Sequence, residues 1–273
     1  MLAKDALPSL LLHINMIYGV AISALTIFFY MVIFYMAARA VHNNSIVDIG
    51  WGPGFVAICI VLALTFNGLS NNAVMLFSFT TLWAFRLAGH VYLRSAGHQE
   101  DFRYAKWRRE WGKKEPLIAF FRIFMLQGLF MLVVSLPLII AFTNPGGNLE
   151  IFSYLGILVF SAGFLIETIA DWQLSSFKKK PEHAGKIITH GLWKYSRHPN
   201  YFGESLVWWG LWLTSTGSGY WYLGLISPLV ITFLLRYVSG VPMLEEKFRS
   251  RPGFEEYAQK TPVFIPFIGH RGL

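Results

Sequence analysis

The sequence predicts an all-α, polytopic membrane protein with about seven transmembrane helices. Its 273 residues are 55% hydrophobic and 17% aromatic, with a mean hydropathy of +0.47. Only 14% of the residues are charged, whereas a soluble domain normally carries about a quarter. Apolar runs of about 20 residues, the length that crosses a bilayer as a helix, recur along the chain. The alternating pattern of a membrane barrel does not recur.

The spans follow the apolar runs in order, and no internal repeat, linker or low-complexity segment interrupts them. One domain is therefore predicted over 1–273. The sixth run is short, so its helix could begin earlier, inside the stretch Tyr195–Glu204. After Val241 the chain becomes an amphipathic, charged tail. We predict spans over 14–38, 46–66, 72–93, 117–142, 151–173, 203–216 and 219–238.

The charges predict the orientation of these spans. The loops Asn67–Asn71 and Thr214–Gly219 carry no charge, and Thr143–Glu150 carries only Glu150. Positive charges fall on the alternate connections, which places the N-terminus outside and the C-terminus in the cytoplasm. We expect an integral, multi-pass protein of a bacterial inner membrane. The basic connections contain Arg39, Arg94–Glu115, Lys178–Arg197 and the tail.

The composition also excludes some classes of protein and site. The net charge of +8 is explained by the positive-inside rule, so no nucleic-acid partner is predicted. The lone Cys59 excludes an internal disulfide and a cysteine-based metal cluster, and no metal site is predicted. Only Lys4 and Asp5 precede the first apolar run, which we interpret as a retained anchor because no signal-peptide cleavage pattern follows.

Acidic residues within the fifth span are the first candidates for a site. Glu167 and Asp171 lie four residues apart and share one helix face. Ionisable residues inside a span are costly and favour a functional interpretation. The alternative is that Asp171 lies at the interface and pairs with a lysine. The following lysines, among them Lys178 and Lys186, either determine topology, contact anionic lipids or hold a phosphate.

The stretch Tyr195–Glu204 concentrates hydrogen-bonding groups beside apolar sequence. Proline disfavours helix at the residue before it, so a helix is predicted to begin near Asn200. A helix N-terminus favours anions, and arginine and asparagine add donors. The stretch therefore predicts a phosphate or amide site, the alternative being a solvated loop. Its candidate residues are Tyr195, Arg197, His198, Asn200, Tyr201 and Glu204.

Further candidates are spread over the other spans. Asp48 begins the second span, either as a first-turn charge or as a buried acid facing a cavity. Arg86 and His90 lie four residues apart on the third span, near Tyr92. The basic segment beginning at Arg94 predicts an interfacial helix, and its arginines, Arg94, Arg103 and Arg108, are also within reach of a phosphate. Arg236 ends the last span as a snorkelling anchor or a cofactor contact.

The motifs resemble the steroid 5-alpha-reductase superfamily, in particular its bacterial DUF1295 branch. The C-terminal motifs are G-L-W over 191–193 and S-R-H-P-N-Y-F-G-E over 196–204. Weaker motifs are S-I-V-D-I-G-W-G over 45–52, L-W-A-F-R-L over 82–87, E-D-F-R-Y over 100–104 and S-G-V-P-M-L-E over 239–245. The resemblance covers nearly the whole chain.

The resemblance implies a seven-helix fold that holds NADPH in a cytoplasm-facing cavity and reduces a carbon–carbon double bond. It implies that 14–150 lies on the substrate side and that 151–273 binds the cofactor. By resemblance Asp171 binds the cofactor, Asn200 and Glu204 lie near the nicotinamide, and Arg236 contacts the cofactor. Lys178 and Lys186 match positions that hold phosphates.

The chain departs from steroid reductases in three positions. Those enzymes place a Gln-Glu pair on the second span and a tyrosine on the third. Here the second span offers Asp48, Trp83 lies near the tyrosine position, and Glu167 replaces an asparagine. These departures concern substrate recognition more than cofactor binding.

We therefore expect an NADPH-dependent reductase of a lipophilic enone, either steroid-like or isoprenoid. An acid must stabilise or protonate the enolate oxygen. Asp48 is the expected donor, with His90 or Tyr92 as alternatives, and a buried acid is more easily protonated. Two other hypotheses stay open. The first is a methyltransferase that uses S-adenosylmethionine, since Glu245, Glu246 and Tyr257 suit the related isoprenylcysteine carboxyl methyltransferases. The second is a lipid-binding membrane protein without catalysis.

Overall fold

The computed structural model of the protein describes residues 2–66, 70–97, 99–144, 151–269 and 272, and for residues 2–9 only the backbone. Throughout these residues the regular structure is helical, without a strand, which confirms the predicted fold class. The predicted loop segments 67–69 and 145–150, including Glu150, lie outside the described residues. Contacts divide the chain into two compact units, Met1–Ser153 with Thr214–Ser227 and Tyr154–Leu213 with Pro228–Leu273.

The first unit is built from the N-terminal helices. Short 3₁₀ turns at Gly112–Lys114, Ser215–Gly217 and Trp221–Leu225 and a π-helical turn at Phe120–Met125 connect or extend them. Its helices are α1 (Leu2–Val41), α2 (Ile46–Thr65), α3 (Asn71–Ser95), α4 (Phe102–Trp111), α5 (Glu115–Ala119), α6 (Leu126–Val134) and α7 (Leu136–Thr143).

The second unit contains most of the C-terminal helices. A 3₁₀ turn at Gly191–Lys194 precedes its central helix, and a π-helical turn at Leu234–Val238 follows the last apolar one. Its helices are α8 (Ile151–Lys178), α9 (Pro199–Thr214), α10 (Ile226–Phe233), α11 (Val241–Phe248) and α12 (Phe254–Lys260), of which α8 and α10 begin, and α9 ends, in residues of the first unit.

Local chemistry fixes where these helices begin and end. The Ser70 hydroxyl accepts a hydrogen bond from Ala73 N at 3.2 Å, and Asp101 Oδ1 accepts one from Arg103 N at 3.0 Å, so both cap free helix donors. The α4 helix ends at Gly112, whose φ of 51° suits glycine. Pro199 lies in the first turn of α9, where its missing N–H costs nothing.

The spans differ in detail from the predicted ones. The predicted span over 117–142 is interrupted at Ser135, since Pro137 in the first turn of α7 cannot continue the hydrogen bonds of α6. The described residues contain six helical segments long and apolar enough to cross a membrane. The sixth predicted span corresponds to α9, which has 16 residues, and both the seven spans and the orientation of the termini stay predictions.

Glycines bring the helices of the first unit into close contact. A Cβ atom on Gly52 of α2 would lie 2.8 Å from Ala84 Cα of α3, and one on Gly54 would lie 2.5 Å from the Met131 side chain. At Gly52 the obstacle is backbone, so only glycine permits this spacing of α2 and α3, whereas the Met131 side chain opposite Gly54 is flexible. Asp48 lies at the start of α2, so the close contact of α2 with α3 helps to place it among the charged residues at that end of the unit.

Candidate functional site

Asp48 lies in a polar cluster contributed by three helices of the first unit. Its Oδ2 is 2.8 Å from Arg103 Nη2, and its Oδ1 accepts a hydrogen bond from the Tyr104 hydroxyl at 2.6 Å. Gln127 Nε2 in turn donates to the Tyr104 hydroxyl oxygen at 3.3 Å. Tyr104 is only 3% exposed. Both oxygens of Asp48 therefore accept hydrogen bonds, one from arginine and one from tyrosine.

The cap of α4 continues the cluster towards the surface. Asp101 Oδ1 accepts from Arg103 Nε at 2.9 Å, so Arg103 bridges Asp101 and Asp48. Burial alone would raise the pKa of Asp101, but Arg103 outweighs it and lowers the pKa below its usual value. Asp101 therefore stays a carboxylate and holds the arginine in place.

The candidates on α3 include Arg94, whose charge helps to lower the pKa of Asp101 in this cluster. Tyr92 is 58% exposed and Arg94 is exposed too, and His90 is half-buried. The contacts described for Asp48 are with Arg103 and Tyr104, and those described for Tyr92 and Arg94 include no hydrogen bond to it. The structure thus brings Tyr104 next to Asp48. Tyr104 is a residue that we did not select from the sequence. The available signal was Asp101 as a helix cap, which places Arg103 and Tyr104 in the first turn of α4.

The second unit brings together Glu167, Asp171, Asn200 and Glu204, all four being predicted site residues. A Cβ atom on Gly203 would lie 2.6 Å from Glu167 N, and one on Gly163 would lie 2.7 Å from Gly203 O. The α8 and α9 backbones therefore touch through glycine, which is typical of helix pairs in membranes. Glu167, Asp171 and Glu204 are buried.

Asn200 links the two helices through a hydrogen bond. Its Nδ2 donates to Asp171 Oδ1 at 3.2 Å. Its Oδ1 is buried and has no hydrogen-bond partner. A buried acceptor without a partner is costly, and a ligand with an N–H group, such as a carboxamide, would satisfy it. The residues present thus fit the amide end of a nicotinamide cofactor.

The G-L-W motif anchors the basic loop to α8. Leu192 N donates to Gln173 Oε1 at 3.0 Å, and Trp193 Nε1 donates to Ala170 O at 3.2 Å. Gly191 has a φ of 63°, and a Cβ there would lie 2.4 Å from Gln173 Nε2. Lys178, at the end of α8, and Lys186, in the loop, are both exposed. The motif fixes the loop that carries Lys186 beside the helix that carries Asp171.

Arg197 and His198 contact the C-terminal tail. Glu245 Oε1 lies 2.9 Å from Arg197 Nε and 3.2 Å from His198 Nε2. Both Nη atoms of Arg197 are 3.1 Å from Gly272 O. The donor fork that we predicted for a phosphate is thus engaged by a carboxylate and a carbonyl of the same chain. Glu245 was considered from the sequence for another function, and no short-range pattern linked it to Arg197.

The environment of His198 is buried and positively charged. Burial lowers the pKa of His198, against the opposing effect of the hydrogen bond with Glu245, and the nearby Arg197 and Arg236 lower the pKa further. The ring stacks on Tyr201 with 5.8 Å between centroids. Neutral histidine is thus the favoured form at neutral pH.

The remaining candidates line the same region of the unit. Tyr195 packs on Phe267, with ring centroids 4.7 Å apart, and its carbonyl accepts from Phe267 N. The Arg236 guanidinium lies 4.8 Å from the centre of the Tyr237 ring. Burial raises the pKa of Tyr257, whose hydroxyl donates to Trp193 O at 2.5 Å. The tail thus packs on the stretch that precedes α9.

Comparisons of the sequence with known proteins identify its family. The model of the family described as "Protein of unknown function (DUF1295)" matches residues 34–261. An uncharacterised protein of Schizosaccharomyces pombe is 27% identical over 194 residues, which cover 61% of this chain and 56% of the relative. No solved structure matches the chain significantly.

Several relatives carry enzyme names. A steroid 5-alpha-reductase of Gossypium hirsutum is 30% identical over 113 residues, 41% of each chain. A probable O-methyltransferase of Ustilaginoidea virens is 35% identical over 82 residues, 29% of each chain. The chain spans about half or less of the length of these curated relatives. With the family match over most of its length, the chain belongs to the DUF1295 family of the steroid 5-alpha-reductase superfamily.

Proposed function

We propose that this chain is an integral membrane reductase that uses NADPH to reduce a carbon–carbon double bond in a lipophilic enone. The buried Tyr104 hydroxyl, held between Asp48 and Gln127, is the observation that carries the proposal. A hydroxyl in this setting suits a substrate carbonyl oxygen that becomes negative during the reaction. The relationship to a named steroid 5-alpha-reductase supports the same reaction class.

The second unit would hold the cofactor. Asn200 and Asp171 would bind its nicotinamide end through the partnerless Asn200 oxygen. Glu167 and Glu204 would shape the site between the helices, while the exposed Lys178 and Lys186 would bind phosphates as point charges. Arg236, near His198, would add positive charge to the cofactor site. When bound, NADPH would supply a hydride to the carbon β to the carbonyl.

The first unit, taken by itself, contains a hydrogen-bond donor. Rotation about the C–O bond of Tyr104 would turn its hydroxyl hydrogen from Asp48 towards a bound carbonyl oxygen. Asp48 would then be a positioning residue, which retains its ion pair with Arg103 and keeps Tyr104 in place. The proton that completes the carbon α to the carbonyl would come from Tyr104 or from water. Asp48 itself, His90 and Tyr92 are the alternative donors.

Cofactor titration tests the first half of the proposal. NADPH and S-adenosylmethionine are added in parallel to the detergent-purified protein, and to Asn200→Ala. We expect NADPH to bind and the variant to bind it roughly fivefold more weakly, since a hydrogen bond between neutral groups contributes about 1 kcal/mol. Binding of S-adenosylmethionine instead would contradict the proposal.

Turnover of an enone tests the second half. Tyr104→Phe should lower turnover by roughly 10²-fold to 10³-fold and leave NADPH affinity unchanged. Asp48→Asn should also lower turnover far more than affinity. Tyr154→Phe, at an exposed tyrosine of α8, is the control. Full turnover in both Tyr104→Phe and Asp48→Asn would remove the cluster from the mechanism.

A methyltransferase is the second candidate, favoured by the probable O-methyltransferase relative. The tail residues that suggested it have structural partners here, Glu245 with Arg197 and Tyr257 with Trp193. These contacts explain the residues without a second cofactor. The parallel titration compares both functions directly.

A further inference from the structure

The α4 helix has two faces of different chemistry. Its inner face carries the buried Tyr104 and the half-buried Arg108. Its outer face carries Lys106, Arg109 and Lys113, which are spaced by three and four residues and are all exposed. This spacing aligns them in one stripe along the helix and the 3₁₀ turn after it. Lys114 and Arg122 are also exposed and extend the basic surface.

The acids around α4 are already engaged on its inner side. Glu100 Oε1 is 2.8 Å from Arg108 Nη2, and Glu115 Oε2 is 2.5 Å from Arg39 Nη1. Asn44 Nδ2 adds a hydrogen bond to Glu115 Oε1 at 2.7 Å. These contacts tie α4 to the turn between α1 and α2 and fix which face points outward.

The outer cations lack such partners. Within the described part of the chain, Lys106, Arg109, Lys113, Lys114 and Arg122 form no ion pair with an acid. Glu110 is the one exposed acid between Phe102 and Arg122. The face therefore carries a net positive charge that the acids among the described residues do not pair.

Exposed apolar side chains border this basic face. Leu117 is 66% exposed and Phe121 is 58% exposed, and both lie within two helical turns after Lys114 in the chain. They begin the apolar part of the segment Phe102–Val134, which is long enough to cross a membrane. Cations next to exposed apolar residues at a span end are typical of a helix at the bilayer surface.

We propose that the outer face of α4, formed by Lys106, Arg109, Lys113, Lys114 and Arg122, binds the headgroups of anionic phospholipids in the adjoining leaflet. The phosphodiester charge complements the unpaired cations, and the neighbouring Leu117 and Phe121 would contact the acyl chains. Each cation near an anionic membrane surface contributes roughly a fivefold gain in binding. The proposal does not depend on the reductase function.

The test uses the full chain in nanodiscs of phosphatidylcholine with increasing phosphatidylglycerol. Phosphatidylglycerol should raise the melting temperature of the protein, and native mass spectrometry should show it retained. The neutral variant replaces Lys106, Arg109, Lys113 and Lys114 by glutamine. We expect it to lose both effects and to retain at least tenfold less phosphatidylglycerol. The matched control replaces Lys106, Lys113 and Lys114 by arginine and should keep both.

Two further measurements keep the result interpretable. In pure phosphatidylcholine the glutamine variant should have the same melting temperature as the wild type. If it does not, the effect of salt on the wild type tests the proposal. A rise in NaCl from about 0.05 M to about 0.5 M should remove the stabilisation by phosphatidylglycerol. Inorganic phosphate at equal concentration should not displace the lipid, and displacement would indicate a phosphate site instead. Equal retention of phosphatidylglycerol by the wild type and the glutamine variant would overturn the proposal.

Discussion

At the scale of single residues, the polar stretch before α9 separates into two roles. Arg197 and His198 bind the C-terminal tail through Glu245, whereas Asn200 faces Asp171 across the helix pair. A buried guanidinium requires a charged partner, because an unpaired charge in an apolar interior is very costly. Asn200, beyond the proline, keeps a buried side-chain oxygen without a hydrogen-bond partner.

The pKa of His198 predicts how stability depends on pH. Burial lowers this pKa in the folded state, so the unfolded histidine binds a proton at a pH where the folded one does not. The unfolded state then binds more protons, and stability falls as the pH falls below about 6.5. We expect the melting temperature in detergent to drop between about pH 7 and about pH 5.

His198→Asn removes this titration and is the comparison for that measurement. The variant should be less stable at neutral pH, because the contact with Glu245 changes, but its melting temperature should depend less on pH over the same interval. An unchanged pH slope in the variant would show that another group is responsible.

At the scale of elements, glycine contacts set the distance between α8 and α9. A Cβ atom on Gly210 would lie 2.4 Å from Phe160 N and 2.6 Å from Phe160 Cα. The obstacle is backbone, so it cannot rotate away. The same close contact continues at Gly203 and Gly163 and brings the polar residues of the two helices together.

Gly210→Ala should therefore destabilise the protein by about 1–3 kcal/mol or more, as overpacking of a tight core does. The matched control is Gly89→Ala on α3, where an added Cβ meets nothing within 4 Å. That change should be neutral or slightly stabilising, since alanine favours helix by up to about 1 kcal/mol. Thermal unfolding in detergent compares the two, and equal melting temperatures would contradict the close contact.

The helix boundaries show which local sequence patterns predict structure reliably. The caps and prolines at Asp101, Pro199 and Pro137 act within one helical turn, and each agrees with a boundary in the structure. The interruption at Ser135 lies inside a continuous apolar run. Hydropathy alone therefore could not distinguish one span from two helices.

At the scale of the whole molecule, the membrane orientation is the open prediction. Cys59 is the lone cysteine and is buried, so cysteines introduced elsewhere can be labelled selectively. We expect Lys113→Cys to react with an impermeant maleimide only from the cytoplasmic side, and Gly219→Cys, at the exposed end of the loop Thr214–Gly219, only from the outer side. Reaction of both from the same side would contradict the predicted topology, and the wild type serves as the control.

The sequence by itself determined the class of the protein, its family and its helices. Apolar runs, alternating basic loops and the motif over 196–204 are local signals, and helix formation depends mainly on neighbouring residues. Asp171, Asn200 and Glu204 could be selected as candidates because each is a costly polar group beside apolar sequence.

Tertiary structure alone decided which of these residues meet. Tyr104 contacts Asp48 across 56 positions of sequence, and Glu245 contacts His198 across 47. No periodicity links such positions, because the contacts follow from how helices pack and not from spacing along one helix. The pairing of donors with carboxylates, and with it the proposed division of roles, depends on that packing.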